Sequence, residues 1–450
     1  MADLAIIGAG PGGYTAALYA AIKGLSVILF EKEHVGGTCL NWGCIPTKSL
    51  LASSQLYQKI LDSAKFGIKV DKTEIDFETV FNRKDDIVKS LRSGIELLIK
   101  KRKINLIRGE AILEENSTIL CNGEVYKADN IIIATGSSPM ELKGMKTDGK
   151  FILNSTHALE LKDIPQNILI VGGGVIGVEF ASLWQGFGKN VTIIEIAENI
   201  LPMADIDIVK RLRTMLKKQG IKIITGKAVD NINVLNEKVI VKINDKSEME
   251  FDKVLIAAGR SLNLKNIKLK LEKNNNLIKV DSRMMTDKKN IYAIGDIVSK
   301  YQLAHVASSQ ALIAVNNILG EECHFSEKAI PSCIYTHPEA AWVGMTEKQV
   351  DDMENGKYNK GVFRFNALGK ALAIGENEGF VKILGDENDN ILGIHMLGPK
   401  VTELISEAVT AIATRLKVYE WSSVIHAHPT LSEAVMEAVH DVHGECVYNL

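Results

Sequence analysis

Cysteine is scarce in this chain. Six residues in 450 are too sparse for a structural disulfide framework, and Cys121, Cys323, Cys333 and Cys446 each stand alone. Only Cys39 and Cys44 form a pair. Charge of one sign is also missing: 53 basic and 55 acidic residues nearly cancel, no block of like charge runs long, and no basic stripe marks a nucleic-acid binder. No apolar run reaches the roughly 18 residues of a membrane helix, because Gly, Lys or Glu interrupts every candidate. The amino terminus, Met1 to Gly8, has no basic leader and breaks into glycines too early for a signal peptide. These absences exclude a secreted disulfide scaffold, a nucleic-acid partner and a membrane anchor, and imply a cytoplasmic protein. With 46% hydrophobic residues the chain can bury a large core, and its length implies about three domains.

What is present is a repeat. Leu4 to Glu31 reads as strand, glycine turn, Ala-rich helix, strand, and the same plan returns between Ile168 and Glu195. Gly8 to Glu31 spans the same 23 positions as Gly172 to Glu195. Each copy is followed later by an apolar strand ending in a small-residue turn, Ile131 to Gly136 and Val254 to Gly259. Two mononucleotide-type units are implied. A further strand-like run, Asn290 to Asp296, leads into a helix pattern from Ala304 to Leu319, and its place is not derivable from spacing. From about 329 the pattern changes to short alternating runs, with helix-like stretches at 401–416 and 430–443, as in an α+β terminal domain.

The turn Gly8-Ala9-Gly10-Pro11-Gly12-Gly13 fits G-x-G-x-x-G between a strand and a helix, where backbone N–H groups and the helix dipole can hold a pyrophosphate. Glu31 closes the next strand where a carboxylate accepts hydrogen bonds from an adenosine ribose. The alternative is a tight turn with no ligand. Gly172 to Gly177, with Glu195 as its acid, repeats the pattern. There Ile196 and Ala197 follow the acid and no Arg or Lys occurs until Lys210. A 2′-phosphate would meet a like charge without a cation, so NAD is preferred over NADP.

The Cys39 and Cys44 pair, five positions apart and just beyond the first fingerprint, suggests a redox-active disulfide beside a nucleotide cofactor. Half of a metal site and two inert buried thiols are the alternatives; only His34 lies close enough to serve as a further zinc ligand. Pro46 reads as the first residue of a helix beginning near Cys44, whose amino terminus would stabilise a thiolate there. Lys48 falls one turn further on, where it could support that thiolate or a reduced flavin; alone it reads as a surface lysine. Near the carboxyl end, His428 precedes Thr430 and Glu433, which fit a T-x-x-E capping box. His428 is either a general base or an ordinary loop residue. His426, His428, His440 and His443 form no recognised metal spacing, and no metal is expected.

These segments resemble the pyridine nucleotide-disulfide oxidoreductases. The landmarks are GAGPGG, GGTCLNWGCIPTK, IIIATGSSP, GGGVIGVEFAS, YAIGD, YTHPEAAWVG and HAHPTLSEA, in family order over essentially the whole chain. The resemblance implies an α/β protein with two Rossmann-like dinucleotide-binding domains, for FAD and NAD, and a C-terminal α+β dimerisation domain. The expected divisions are 1–142 for FAD, 143–262 for NAD, 263–328 completing the FAD domain, and 329–450 for the interface. FAD is expected on Gly8, Gly10, Gly13 and Glu31, with Thr38, Cys39, Lys48, Thr135, Gly136, Gly295, Asp296, Ala304 and His305 around it and Asp296 at the ribityl chain. NAD is expected on Gly172, Gly174, Ile176, Gly177, Glu179, Glu195 and Gly259.

The resemblance further implies that Cys44 lies against the isoalloxazine as a charge-transfer thiolate while Cys39 exchanges with substrate. Lys48 should pair with Glu179 near the flavin. His428, supported by Glu433, should act as base on the disulfide of the other subunit of a homodimer. The implied reaction oxidises a dihydrolipoyl group carried by another protein and reduces NAD+. Some positions depart from the family pattern: Leu262 replaces a common proline, Ser309-Gln310-Ala311 replaces a more acidic, glycine-containing run, and Cys446 is a single cysteine near the end where some relatives carry a pair. Altered tuning rather than lost activity is expected of these.

Overall fold

The computed structural model describes residues 2–245, 247–353 and 356–448. Its first sheet is parallel, in the order Ile291–Ala293, Ala128–Ile133, Ala2–Ile7, Val27–Glu31, Asn105–Arg108. Strands covered on both faces read as continuous apolar runs rather than alternating ones, and Leu4, Ala5 and Ile6 are fully buried. The helix Pro11–Ile22 packs on the helix Ala304–Ile318, with Gly12 close against Ala307 and the Tyr19 hydroxyl donating to Asn316 Oδ1 at 2.8 Å. The run Asn290 to Asp296, unplaced by spacing, thus supplies the edge strand of this sheet.

A second parallel sheet repeats the arrangement of four of these strands, read from the opposite edge, and adds an edge strand that precedes them in the chain: Lys222–Thr225, Asn190–Glu195, Asn167–Val171, Lys253–Ile256, Ile152–Leu153. The duplication extends beyond the fingerprints. Each unit carries a three-stranded antiparallel meander, Ile112–Leu113, Ile119–Cys121 and Glu124–Tyr126 in the first, Val229–Leu235, Lys238–Ile243 and Glu248–Phe251 in the second. The chain passes from one unit to the other and back through a ribbon in which Ser137–Pro139 pairs antiparallel with Arg260–Leu262.

The terminal unit is a five-stranded antiparallel sheet, Ser332–Ile334, Glu339–Gly344, Ile391–Gly398, Phe380–Gly385, Asn359–Arg364 in spatial order, packed against the helices Val401–Ala413 and Glu433–Asp441. The last helix begins at Glu433, three residues later than the spacing predicts. The Thr430 hydroxyl donates to the Ala427 carbonyl at 2.7 Å, and its N–H donates to the Glu433 carboxylate at 2.8 Å, so residues 430–432 form a turn ahead of the helix.

Where this unit meets the second sheet stands a buried ionic knot. The carboxylate oxygens of Asp205, Asp207 and Glu347 lie within 4.8 Å of one another. Between them sits the ammonium of Lys382, itself fully buried, in contact with all three. His395 is buried alongside; its Nε2–H donates to the Met345 carbonyl at 2.9 Å and its Nδ1 has no partner among the described residues.

Candidate active site

One cavity of about 1890 Å³ runs between the two parallel-sheet units, and both glycine turns open into it. The three glycines of each turn do different jobs. Gly8 and Gly172 adopt φ of +99° and +114°, a left-handed conformation that other residues resist. A Cβ on Gly13 would fall 1.8 Å from the Gly8 carbonyl, and one on Gly177 2.0 Å from that of Gly172, so both serve close helix–strand packing. Neither Gly13 nor Gly177 lines the cavity. Gly10 and Gly174 do, and a Cβ there would meet nearly nothing of the protein, which leaves the backbone open to a ligand.

The two acids are held identically. Glu31 accepts the Ala9 and Glu33 N–H groups, each at 2.8 Å; Glu195 accepts those of Gly173 at 2.5 Å and Ala197 at 2.8 Å. Each carboxylate is thereby fixed beneath its glycine turn with lone pairs left for ribose hydroxyls. Lys227, distant in sequence from the second acid, also lines the cavity, but its ammonium is engaged by Asp245 at 3.2 Å.

Cys39 lies in the short helix Gly37–Trp42 and Cys44 is the first residue of the helix Cys44–Leu61, with Gly43 breaking the backbone between them. Pro46 is therefore the third helical residue, not the first. Both cysteines are free thiols here and face the cavity. The hydrogen bond from Cys39, followed by the charge of Lys48, outweighs burial and Glu179 and brings the Cys44 thiol down to about 7. Cys39 is pushed upward by the same hydrogen bond and by burial. The pair is thus asymmetric, with Cys44 the more acidic thiol.

Lys48, one turn beyond Cys44, places its ammonium 3.1 and 2.9 Å from the two oxygens of buried Glu179 and 4.4 Å from the centroid of the Tyr335 ring. Tyr335 donates its N–H to Glu179 at 3.0 Å. Its role was invisible in the sequence, because 156 positions separate it from Glu179. Cys333 also lines the cavity; burial, with Glu339 next, pushes its thiol up to about 12, which makes it a poor nucleophile.

Thr38, Thr135, Gly136, Gly295, Asp296, Ala304, His305, Ile176 and Gly259 line the same space. The departure at Gln310 has a local role, since its side-chain oxygen accepts the Gly295 N–H at 2.7 Å in a buried position. His428 and Glu433 are elsewhere. On the terminal unit, His428 Nδ1 lies 2.8 Å from Glu433 Oε1, and the imidazole is 80% exposed. Burial raises the Glu433 carboxyl, yet the Thr430 N–H and His428 outweigh it and hold the group below its usual range. The chain does not bring this pair to its own cysteines. Cys446, for its part, donates to the buried carboxylate of Glu437 at 3.1 Å.

Two nucleotide units sharing a cavity with an asymmetric cysteine pair define a dinucleotide-dependent dithiol–disulfide oxidoreductase. Residues 2–311 match the pyridine nucleotide-disulphide oxidoreductase model, and residues 330–439 match the dimerisation domain of the same group. The chain belongs to the pyridine nucleotide-disulphide oxidoreductase family. It is 41% identical to a dihydrolipoyl dehydrogenase of Bacillus subtilis, over 99% of each chain. It is 42% identical to one of Chlamydia muridarum, over 97% of this chain and 96% of the relative. Among solved structures it resembles LpdA from Mycobacterium tuberculosis, with a TM-score of 0.90, 25% identity, and coverage of 97% and 98%. It likewise resembles the HOCl-induced flavoprotein disulfide reductase RclA from Escherichia coli, with a TM-score of 0.86, 28% identity, and coverage of 98% and 99%.

FAD and NAD(H) are the cofactors of this family, and the residues present fit them. Both cradles have the open second glycine, and the Thr135 hydroxyl is buried against the cavity with no partner among the described residues.

Proposed function

We propose that the protein is a dihydrolipoyl dehydrogenase. It would oxidise protein-bound dihydrolipoyl groups to lipoyl groups and reduce NAD+ to NADH. The observation that carries this reading is the Cys39–Cys44 pair, with its thiolate biased to Cys44, in a chain similar over its whole length to relatives of that name. Gly8, Gly10 and Glu31 would hold FAD, with Asp296 at the ribityl chain, and Gly172, Gly174 and Glu195 would hold NAD. When bound, the flavin supplies two-electron transfer between a dithiol and a nicotinamide.

The chain's own groups supply the rest. In the oxidised protein Cys39 and Cys44 are joined. His428, oriented by Glu433, takes a proton from one substrate thiol, and the resulting thiolate attacks Cys39 Sγ. The Cys39–Cys44 bond breaks and Cys44 leaves as the thiolate. That departure is favoured because the Lys48 ammonium beside Cys44 stabilises its thiolate, and the lower-pKa thiol is the better leaving group. The second substrate thiol then displaces Cys39, which closes the substrate disulfide and leaves the protein pair reduced. Lys48, held by Glu179 and Tyr335, keeps a cation beside Cys44 throughout.

His428 is exposed and remote from the cysteines of its own chain, so it would act on those of the other subunit of a homodimer. The dimerisation domain supports that assembly. The lipoyl group would come from another protein, and the location would be cytoplasmic; among the described residues no helix is long and apolar enough to cross a membrane. Anaerobic NAD+ reduction by the FAD-loaded protein tests the reading, with dihydrolipoamide compared against oxidised glutathione plus NADH or NADPH. NADH formation confined to the lipoyl substrate is expected. An intact flavoprotein without that activity would refute it.

A further inference from the structure

The ribbon between the two nucleotide units is tied from both sides. Met140 N–H donates to the Gly259 carbonyl at 3.1 Å, Asn263 N–H to that of Gly136 at 3.0 Å, and Asn263 Nδ2 to that of Thr135 at 3.0 Å. Arg260 adds a contact of another kind. Its Nε donates to Ser137 Oγ at 2.7 Å and its Nη2 to the Ser137 carbonyl at 2.6 Å. The Ser137 hydroxyl donates in turn to Asp296 Oδ2. The guanidinium itself stands 3.9 Å from that same oxygen, and Arg260, Ser137 and Asp296 all line the shared cavity.

We propose that Arg260 is a positioning residue for the flavin, acting through the Ser137 hydroxyl to fix the aim and offset the charge of Asp296. The inference rests on the placement of FAD and Asp296 in the proposed function, and adds two residues which that reading does not use. A reduced flavin carries added negative charge, which the Asp296 carboxylate opposes. A guanidinium a few ångströms away, in a cavity drier than bulk water, offsets that opposition. The planar fork holds Ser137 by two bonds at once, a geometry a lysine cannot reproduce. Loss of the Arg260 charge therefore makes the flavin harder to reduce.

The test is the flavin midpoint potential of the full-length FAD-loaded protein, equilibrated against a reference dye, for wild type, R260Q, R260K, S137A and S137A/R260Q. R260Q is expected to lower the potential by about 30 mV or more, about tenfold in the two-electron equilibrium. R260K should recover part of that shift. The double variant should move no further than R260Q alone, because the two residues act in series. Wild-type potentials in R260Q and S137A, or fully additive shifts, would overturn the proposal. Should R260Q fail to retain flavin, S137A, which removes a single oxygen, carries the test by the same criterion. No lipoyl substrate enters this measurement, so its failure is distinct from failure of the proposed activity, which wild-type turnover of dihydrolipoamide reports.

Discussion

At Cys44 two charges pull in opposite directions. Lys48 lowers the thiol and Glu179 raises it, with the hydrogen bond from Cys39 the largest influence. The fraction of Cys44 present as thiolate therefore rises with pH through about 7 in the reduced protein. Lys48→Met is expected to move that titration upward and Glu179→Gln to move it downward. The pH dependence of iodoacetamide alkylation of the reduced protein reads both, and a shift of the same sign in the two variants would contradict the assignment. Cys44→Ser should abolish the long-wavelength absorption and turnover with dihydrolipoamide while leaving FAD bound; persistence of that band would sink the thiolate assignment. At this scale the cysteines and glycine turns were legible because their chemistry and steric demands are local. Tyr335, Ser137 and Arg260 were not, since each finds its partner more than a hundred positions away.

Among the elements, the strand Phe380–Gly385 misleads a reader of sequence most. Lys382 sits between apolar neighbours where a solvent-facing lysine would be assumed, yet it is fully buried against carboxylates at the start of a helix of the second unit and of the short helix Glu347–Asp351 of the terminal unit. Only tertiary contact reveals this. Lys382→Met would leave Asp205 buried without a counter-charge, and a stability loss of about 3–5 kcal/mol is expected from urea unfolding.

The neighbouring histidine sets an acid limit. Burial, against the pull of Asp205, holds His395 down to about 4 from its ordinary 6.5. The unfolded chain then binds the extra proton between those values, so stability is full above 6.5 and falls as pH drops toward 4, by about 3 kcal/mol for this group. His395→Phe should flatten that part of the curve of melting temperature against pH. An unchanged slope would show that other groups carry it.

For the whole molecule, the question is whether one chain suffices. If each site takes its cysteines from one subunit and His428 from the other, Cys44→Ser and His428→Gln chains are each nearly inactive alone, the latter by about 10²–10⁴-fold. Unfolded and refolded together, they should regain about a quarter of wild-type turnover, because half of a random mixture is hybrid and each hybrid holds one complete site. No recovery, with hybrids demonstrated by mass, would assign His428 to its own chain's cysteines or to no catalytic role. The doubled architecture was legible from equal fingerprint spacing, whereas the matching meanders were not, their short strands being too irregular to signal.

The second unit enters and leaves through two strands in which Pro139 and Arg260 stand directly opposite each other. A module attached by so narrow a neck can be exchanged as a cassette. Lineages, or engineers, seeking a different electron acceptor must match the two ends of that neck, the buried face of the helix Val175–Gly186 that rests on the cysteine-bearing helix, and the Asp205 and Asp207 carboxylates that meet Lys382. The thiol chemistry and the choice of nicotinamide are then free to evolve apart.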